Sequence, residues 1–394
     1  MSSGFRRLNY APFFAWVENV IPYGRQNVNR EDIEAVVGVL ESDWLTTGPA
    51  VEAFEEALEV TIGGSPVVAV SSGTAALHTA YSAAGIGPGD EVVTPPITFV
   101  ATQAAAVALG ATVTFADVCA DTANIDPAAV EAVISTATKA IVAVDFGGHP
   151  ADMNALRAIA DRHGLLLIED AAHSLGSSYE GRPVGSLADI TVFSFFPTKN
   201  ITSAEGGAVT AKDPAIIAKA RSFSRQGLVR ERARHVMSGE GPWHQEVHAF
   251  GLNYRLPDVL AALGLSQLRR LAEFKTERSL IKQQYDELLA GIPGVDIPVE
   301  RGNVDPNWHL YPVRVDRARR RSVFEALRRD GIGVQVNYMP AYWHPAFDQN
   351  RYPRGLCPVA EDYYAREISL PMFIGLEADA VNWIAASLIS AHST

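Results

Sequence analysis

The sequence predicts an α/β protein with a mainly parallel central sheet, covered by helices on both faces and followed by a smaller C-terminal α+β domain. Short, continuously apolar runs recur through the first half of the chain, at 67–70, 140–144 and 165–168, and unbroken apolarity marks strands buried on both faces. Stretches with helical spacing separate them, which is the alternation that builds parallel sheets. After Gln226 the rhythm stops, and 394 residues exceed one ordinary domain. The expected division is an N-terminal segment at 1–29, a large domain at 30–262 and a small domain at 263–394.

Taken in order, Asn29 caps a helix through Leu40 that carries acids in its first turn and an apolar face. A loop at 45–49 leads to a second helix at 51–60. The strand at 67–70 then runs into Ser71-Ser72-Gly73-Thr74, a turn that opens a helix through about Ala84. Strands at 91–94 and 112–115 flank a helix of small residues at 100–109. A helix near 128–135 precedes the strand at 140–144, and a helix at 153–163 precedes the strand that ends at Glu169-Asp170. Ile190 to Phe195 forms the next strand, followed by Lys199, a Gly-Gly turn and the run Ala208-Val209-Thr210. A polar stretch at 226–250 interrupts the pattern. One long helix is expected at 256–274, then helices at 277–290, 320–330 and 378–390 with a strand at 309–315.

Composition excludes several roles. A net charge of −12 and a pI near 5.3 argue against general affinity for nucleic acid or acidic membranes. Two cysteines, Cys119 and Cys357, form neither a disulfide framework nor a metal spacing, which fits a reducing cytosol. The apolar run at 10–17 follows Arg6 and Arg7 but is short, contains Pro12 and ends without a small-residue cleavage site, so no signal peptide is expected. No segment offers the roughly 18 uninterrupted apolar residues of a membrane helix. A cytoplasmic location is expected.

Lys199 stands isolated among apolar and small residues at a strand end. An amine in a partly desolvated pocket loses its proton readily, and the neutral amine condenses with a carbonyl to a Schiff base; a lysine whose ammonium reaches water is the alternative. Ser72-Gly73-Thr74, at a strand-to-helix turn, suits a phosphate or an ordinary N-cap. Asp170 ends a buried strand, where a carboxylate needs a cation or strong donors, and His173 lies close by. Together these supply what pyridoxal phosphate requires: a lysine for its aldehyde, a carboxylate for its ring nitrogen and a phosphate cup.

The order and wording of these motifs resemble a known family. Ser71-Ser72-Gly73-Thr74-Ala75-Ala76-Leu77, Thr98-Phe99-Val100-Ala101-Thr102, Ile168-Glu169-Asp170-Ala171-Ala172-His173, Phe193-Ser194-Phe195, Lys199-Asn200-Ile201-Thr202, Glu205-Gly206-Gly207 and Asn253-Tyr254-Arg255 are similar to the DegT/StrS nucleotide-sugar aminotransferases, of pyridoxal-phosphate fold type I. The resemblance implies that Lys199 links to the cofactor and also moves the proton between substrate carbon and cofactor. It implies that Asp170 pairs with the ring nitrogen, that His173 sits near the ring hydroxyl and that Phe99 stacks on the ring. Gly73, Thr74 and Ser194 would hold the phosphate, and Asn253 would reach the phosphate in the neighbouring subunit, making a homodimer with shared sites. A branch of the family that dehydrates sugars has histidine in place of this lysine, so Lys199 argues for transamination.

Ile21-Pro22-Tyr23-Gly24-Arg25-Gln26 and the run at 251–258 look most like the aminotransferases of pseudaminic acid biosynthesis, which aminate C4 of a UDP-linked 4-keto-6-deoxy-N-acetylhexosamine with L-glutamate as donor. Phe196 stands where those relatives usually have histidine and could signal a different sugar. Thr46, Phe196, Arg225, His309 and Tyr311 are the candidate substrate contacts. Arg230, Arg232 and Arg234 read as a solvated loop or as partners, with Arg225, of a substrate diphosphate. A C3-keto sugar, a keto-cyclitol and a non-catalytic cofactor-binding regulator are the alternatives. The glycines at 85–89 follow a helix rather than a strand and read as a turn, not a dinucleotide loop. His244 and His248 could hold a metal if helical, but Pro242 and the want of a third partner favour a polar loop, and no metal is expected.

Overall fold

The computed structural model describes residues 20–393. The expectations for the run at 10–17 and for most of the segment 1–29 lie outside the described residues.

The chain enters through α1 (Arg30–Leu40), which starts with a capping box: the Asn29 side chain accepts from the Asp32 amide, and the Asp32 carboxylate accepts from the Asn29 amide. Helix α2 (Pro49–Thr61) begins on Pro49, whose fixed φ suits a first helical position. Strand and helix then alternate as β1 (Val67–Val70), α3 (Gly73–Ala83), β2 (Glu91–Thr94), α4 (Ala101–Ala108), β3 (Thr112–Phe115), α5 (Pro127–Val133), β4 (Thr138–Val144), α6 (Met153–His163) and β5 (Leu166–Asp170). A small hairpin, β6 (Ser178–Tyr179) and β7 (Arg182–Pro183), precedes β8 (Ile190–Ser194) and β9 (Gly207–Ala211).

These strands form a seven-stranded sheet in the order β1-β9-β8-β5-β4-β2-β3. All are parallel except β9, which runs antiparallel between β1 and β8. Alternate residues of each strand serve opposite faces, as the two-residue period of a strand dictates. Val68 and Val70 pack with Leu77, Tyr81 and Ile217 on one face, whereas Val67 and Ala69 pack with Phe54, Leu58 and Leu156 on the other. Because β9 doubles back, its amino end meets the carboxyl ends of its neighbours, and the loop from Phe195 to Gly206 stays at that edge. Helix α7 (Pro214–Phe223), which the sequence reading passed over, starts on an Asp213 cap and covers the sheet beside α3.

The polar excursion at 226–250 contains a two-stranded ribbon, β10 (Leu228–Val229) with β11 (Glu246–Val247). The single helix expected at 256–274 is two, α8 (Asp258–Leu268) and α9 (Leu271–Leu289). The break falls at Arg270, whose guanidinium is held by buried Asp32 at 2.5 Å and by Asn27 at 2.9 Å. Then come β12 (Val304–Asp305), which joins β6, and β13 (Tyr311–Arg314), α10 (Arg320–Arg329), α11 (Pro358–Arg366), β14 (Glu367–Leu370) and α12 (Ala378–Ser393). Strand β13 pairs antiparallel with β14, which had no sequence signal of its own.

A boundary at 262/263 would cut α8. Leu268, Leu271 and Phe274 pack with the large sheet, and from Ile281 onward α9 packs with Tyr311, Val313 and Leu388 in a separate core. Helix α9 thus contributes residues to both cores. Among the described residues no helix is long and apolar enough to cross a membrane.

Candidate active site

A cavity of about 490 Å³ opens at the carboxyl edge of the large sheet. This is where an open parallel sheet leaves room between its strand ends and the helices that follow them. Its first wall is the turn from β1 into α3. Ser72 is the N-cap, its hydroxyl accepting from the Ala75 amide at 3.1 Å, so Gly73 and Thr74 occupy the first helical turn with the positive end of the helix dipole. Ser194, at the end of β8, presses against Gly73: a Cβ there would lie 2.8 Å from the Ser194 Cβ. Gly207 of β9 fills the gap between them, and its own Cβ would lie 2.4 Å from the Ser72 carbonyl oxygen. The result is a cup of backbone amides and hydroxyls without intruding side chains, a suitable cradle for a phosphate.

Asp170 closes β5 and is 5% exposed. Burial pushes its carboxyl upward, and three features pull against that: the Thr102 hydroxyl donating to Oδ2 at 2.8 Å, the Ala172 amide to Oδ1 at 3.2 Å, and the charge of Lys199. Thr102 is itself positioned by the Thr98 hydroxyl at 3.0 Å.

Lys199 projects from the β8–β9 loop, where its amide donates to the Phe196 carbonyl at 2.9 Å. The next residue, Asn200, is buried and donates to the Asn307 carbonyl at 2.8 Å, tying this loop to the C-terminal part of the chain. Desolvation lowers the Lys199 amine from 10.5 to about 8, and Asp170 opposes the shift.

His173 accepts from the Gly147 amide at Nδ1, 3.3 Å away, which leaves the proton of the neutral ring on Nε2, facing the Tyr338 hydroxyl at 3.4 Å. His309 packs on it with ring centroids 4.4 Å apart. Burial holds both imidazoles well below their ordinary value, so this wall is neutral at physiological pH. Phe99 lines the opposite side, half open to solvent and 6.4 Å from the Tyr338 ring, and Phe196 stands at the mouth.

Gly73, Thr74, Phe99, Asp170, His173, Ser194, Phe196, Lys199 and His309 thus share one cavity. Thr46, Arg225 and Asn253 do not line it. Arg225 and Asn253 pair across an isolated bridge, and Arg225 lines a separate depression of about 60 Å³ with Thr47 and Arg255. Tyr311 requires correction as a substrate contact. Its ring stacks on Tyr285 at 4.6 Å and its hydroxyl donates to Asp286 at 2.7 Å, because the alternation along β13 turns it into the small core. Arg230, Arg232 and Arg234 are exposed, as a solvated loop requires.

Sequence reasoning missed the roles of Thr102 and Tyr338. Thr102 sits in the first turn of α4 among small residues, and nothing in its neighbours distinguishes it. Tyr338 carries no motif and arrives only through the tertiary fold.

The sequence profile of the DegT/DnrJ/EryC1/StrS aminotransferase family matches residues 26–389. The chain belongs to that family. It is 39% identical over 368 residues to the spore coat polysaccharide biosynthesis protein SpsC of Bacillus subtilis, covering 92% of this chain and 94% of SpsC. Helicobacter pylori PseC, an aminotransferase involved in the biosynthesis of pseudoaminic acid, superposes with a TM-score of 0.89 at 33% identity, covering 95% of this chain and 99% of PseC. Spr1654 of Streptococcus pneumoniae superposes in its PLP-form with a TM-score of 0.89 at 28% identity, over 95% of this chain and 99% of Spr1654. It also superposes in its PMP-form, at 0.88.

The chain is therefore a pyridoxal-phosphate-dependent sugar aminotransferase of fold type I. The cavity fits that cofactor: the Gly73 cradle has no room for a Cβ, and Asp170 and Lys199 face the same space. When bound, pyridoxal phosphate supplies an aldehyde for the amine and a ring that accepts electrons from the substrate carbon. Around it, Asp170 would keep the ring nitrogen protonated, and the Ser72–Ser194 cup would bind the phosphate. The Lys199 amine, near 8, could take and return a proton at neutral pH.

Proposed function

We propose that this enzyme moves an amino group from L-glutamate to C4 of a nucleotide-linked 4-keto-6-deoxyhexose, such as UDP-4-keto-6-deoxy-N-acetylhexosamine, in amino-sugar biosynthesis. The observation that carries this reading is the Lys199 amine facing Asp170 and the Gly73 cup in a cavity with ample volume beyond them. Phe196, Tyr338 and His309 add apolar or neutral surfaces to the cavity on which a sugar ring can pack. The naming of PseC for pseudoaminic acid biosynthesis supports the choice of sugar, and that of SpsC supports a polysaccharide precursor. The working unit is a cytoplasmic homodimer. Thr46, Arg225 and Asn253 are exposed outside their own cavity, available to complete that of a partner.

The test is the visible spectrum of the purified enzyme before and after L-glutamate, with Lys199→Ala as control. A visible band that bleaches with glutamate and returns with the UDP-linked 4-keto sugar is expected, with no turnover in Lys199→Ala. Return of the band only with a 3-keto sugar or a keto-cyclitol would move the reading to that substrate. A fully active Lys199→Ala enzyme would overturn the mechanism. Asn253→Ala and Lys199→Ala proteins, each inactive alone, should regain activity when mixed and allowed to exchange subunits.

A further inference from the structure

The excursion at 226–250 brings together three side chains unrelated to the cavity. We propose that His235, His244 and Glu246 bind one divalent transition-metal ion, zinc by the nature of the donors. One ligand atom from each lies within 4.8 Å of the other two, and His244 Nε2 is 3.0 Å from Glu246 Oε1. Zinc–ligand bonds of about 2.1 Å in a tetrahedron set donors roughly 3.4 Å apart, so closing the set takes about an ångström of side-chain movement. Two imidazoles and a carboxylate are zinc-type donors, and three protein ligands leave a fourth position for water.

The surroundings orient these donors. In the neutral ring of His235, Nε2–H donates to the Val229 carbonyl at 3.1 Å, which leaves the lone pair on Nδ1. Glu246 is 6% exposed, and its oxygens accept from the Val236 and Met237 amides at 2.8 Å each. His248 Nε2 lies 2.6 Å from Glu246 Oε2, on the opposite oxygen from His244, and fixes the carboxylate from behind. In the sequence, Pro242 and the want of a third partner for His244 and His248 argue against a metal here. Instead β10 pairs with β11 and returns His235 to the same place, supplying the missing partner. Binding would tie residue 235 to residues 244 and 246, closing the intervening loop across the ribbon. None of the three donors lines the chain's own catalytic cavity.

The experiment uses the pyridoxal-phosphate-loaded enzyme without a histidine tag, stripped with EDTA and titrated calorimetrically with zinc sulfate. Saturation at one equivalent per chain is expected, together with slower proteolysis of the 230–245 loop. His235→Gln, His244→Gln and Glu246→Gln should each weaken binding by more than about 100-fold, while His248→Gln, which only misorients the carboxylate, weakens it by about tenfold. His163→Gln, in the surface pair with Glu131, should leave it unchanged. Absence of saturable binding, or wild-type affinity in any of His235→Gln, His244→Gln and Glu246→Gln, would overturn the assignment.

Discussion

Lys199 differs from a surface lysine chiefly in the water it has lost, and that difference is measurable as reactivity. Its amine titrates near 8 in the folded protein, and the neutral amine is the form that captures an aldehyde. The rate at which cofactor-free enzyme takes up pyridoxal phosphate should rise with pH through about 8 and level off above it; stopped-flow absorbance reads this directly, and a flat profile would contradict it. Thr102→Val keeps the shape of the side chain but leaves Asp170 Oδ2 without its hydroxyl donor. Loss of a buried bond to a charged group should weaken cofactor binding about tenfold, or ~1.4 kcal/mol, in an absorbance titration. Lys199 and Asp170 were legible in the sequence because their charge contrasts with apolar neighbours at strand ends. Thr102 was not, since a threonine in a helix of small residues carries no such contrast.

At the level of elements, the site depends on how three strand ends fit together. Gly207 lets β9 lie between β1 and β8, with the Ser72 carbonyl 2.4 Å and the Phe193 carbonyl 2.8 Å from where a Cβ would stand. Both are backbone atoms and cannot swing aside. Gly207→Ala should therefore destabilise the protein by about 1–3 kcal/mol and loosen phosphate binding, visible as a lower denaturant midpoint and weaker cofactor retention. Gly85→Ala is the useful comparison: a Cβ there meets nothing within 4 Å, so its cost comes from its positive φ alone and should spare the cofactor. The parallel strands were legible because burial on both faces makes each a continuous apolar run. The direction of β9 was not, since an apolar strand reads alike in either sense. Helix α11 and strand β14 escaped for a related reason: they owe their place to packing on β13, a contact that no local period announces.

Across the whole molecule, the C-terminal part of the chain contributes part of the cavity through the segment carrying Asn337 and Tyr338. Buried Glu367 holds that segment by accepting from the Asn337 amide at 2.7 Å. The Asn337 side chain donates to the Tyr23 hydroxyl and to Ser369 Oγ. Burial raises the Glu367 carboxyl from 4.5 to about 8, the hydrogen bonds from Ser369 and Asn337 and the charge of Arg320 opposing it. A carboxyl raised on folding contributes stability that is fully present below its unfolded value and is lost as pH rises through its folded one. The stability of Glu367→Gln relative to the parent should therefore improve from pH 5 to pH 8, measured by urea unfolding at both. An equal difference at the two pH values would show that Glu367 does not titrate in this window.

The β9 insertion also has a meaning for enzyme redesign. On the sheet side of the cavity Gly207 is pressed against backbone and Gly73 against the Ser194 side chain, both already at the smallest possible residue. Mutational libraries spent there would mostly return unfolded or cofactor-free proteins. Room for a bulkier acceptor must be carved from the other wall, at Phe196, His309 and Tyr338, where side chains rather than strands set the shape.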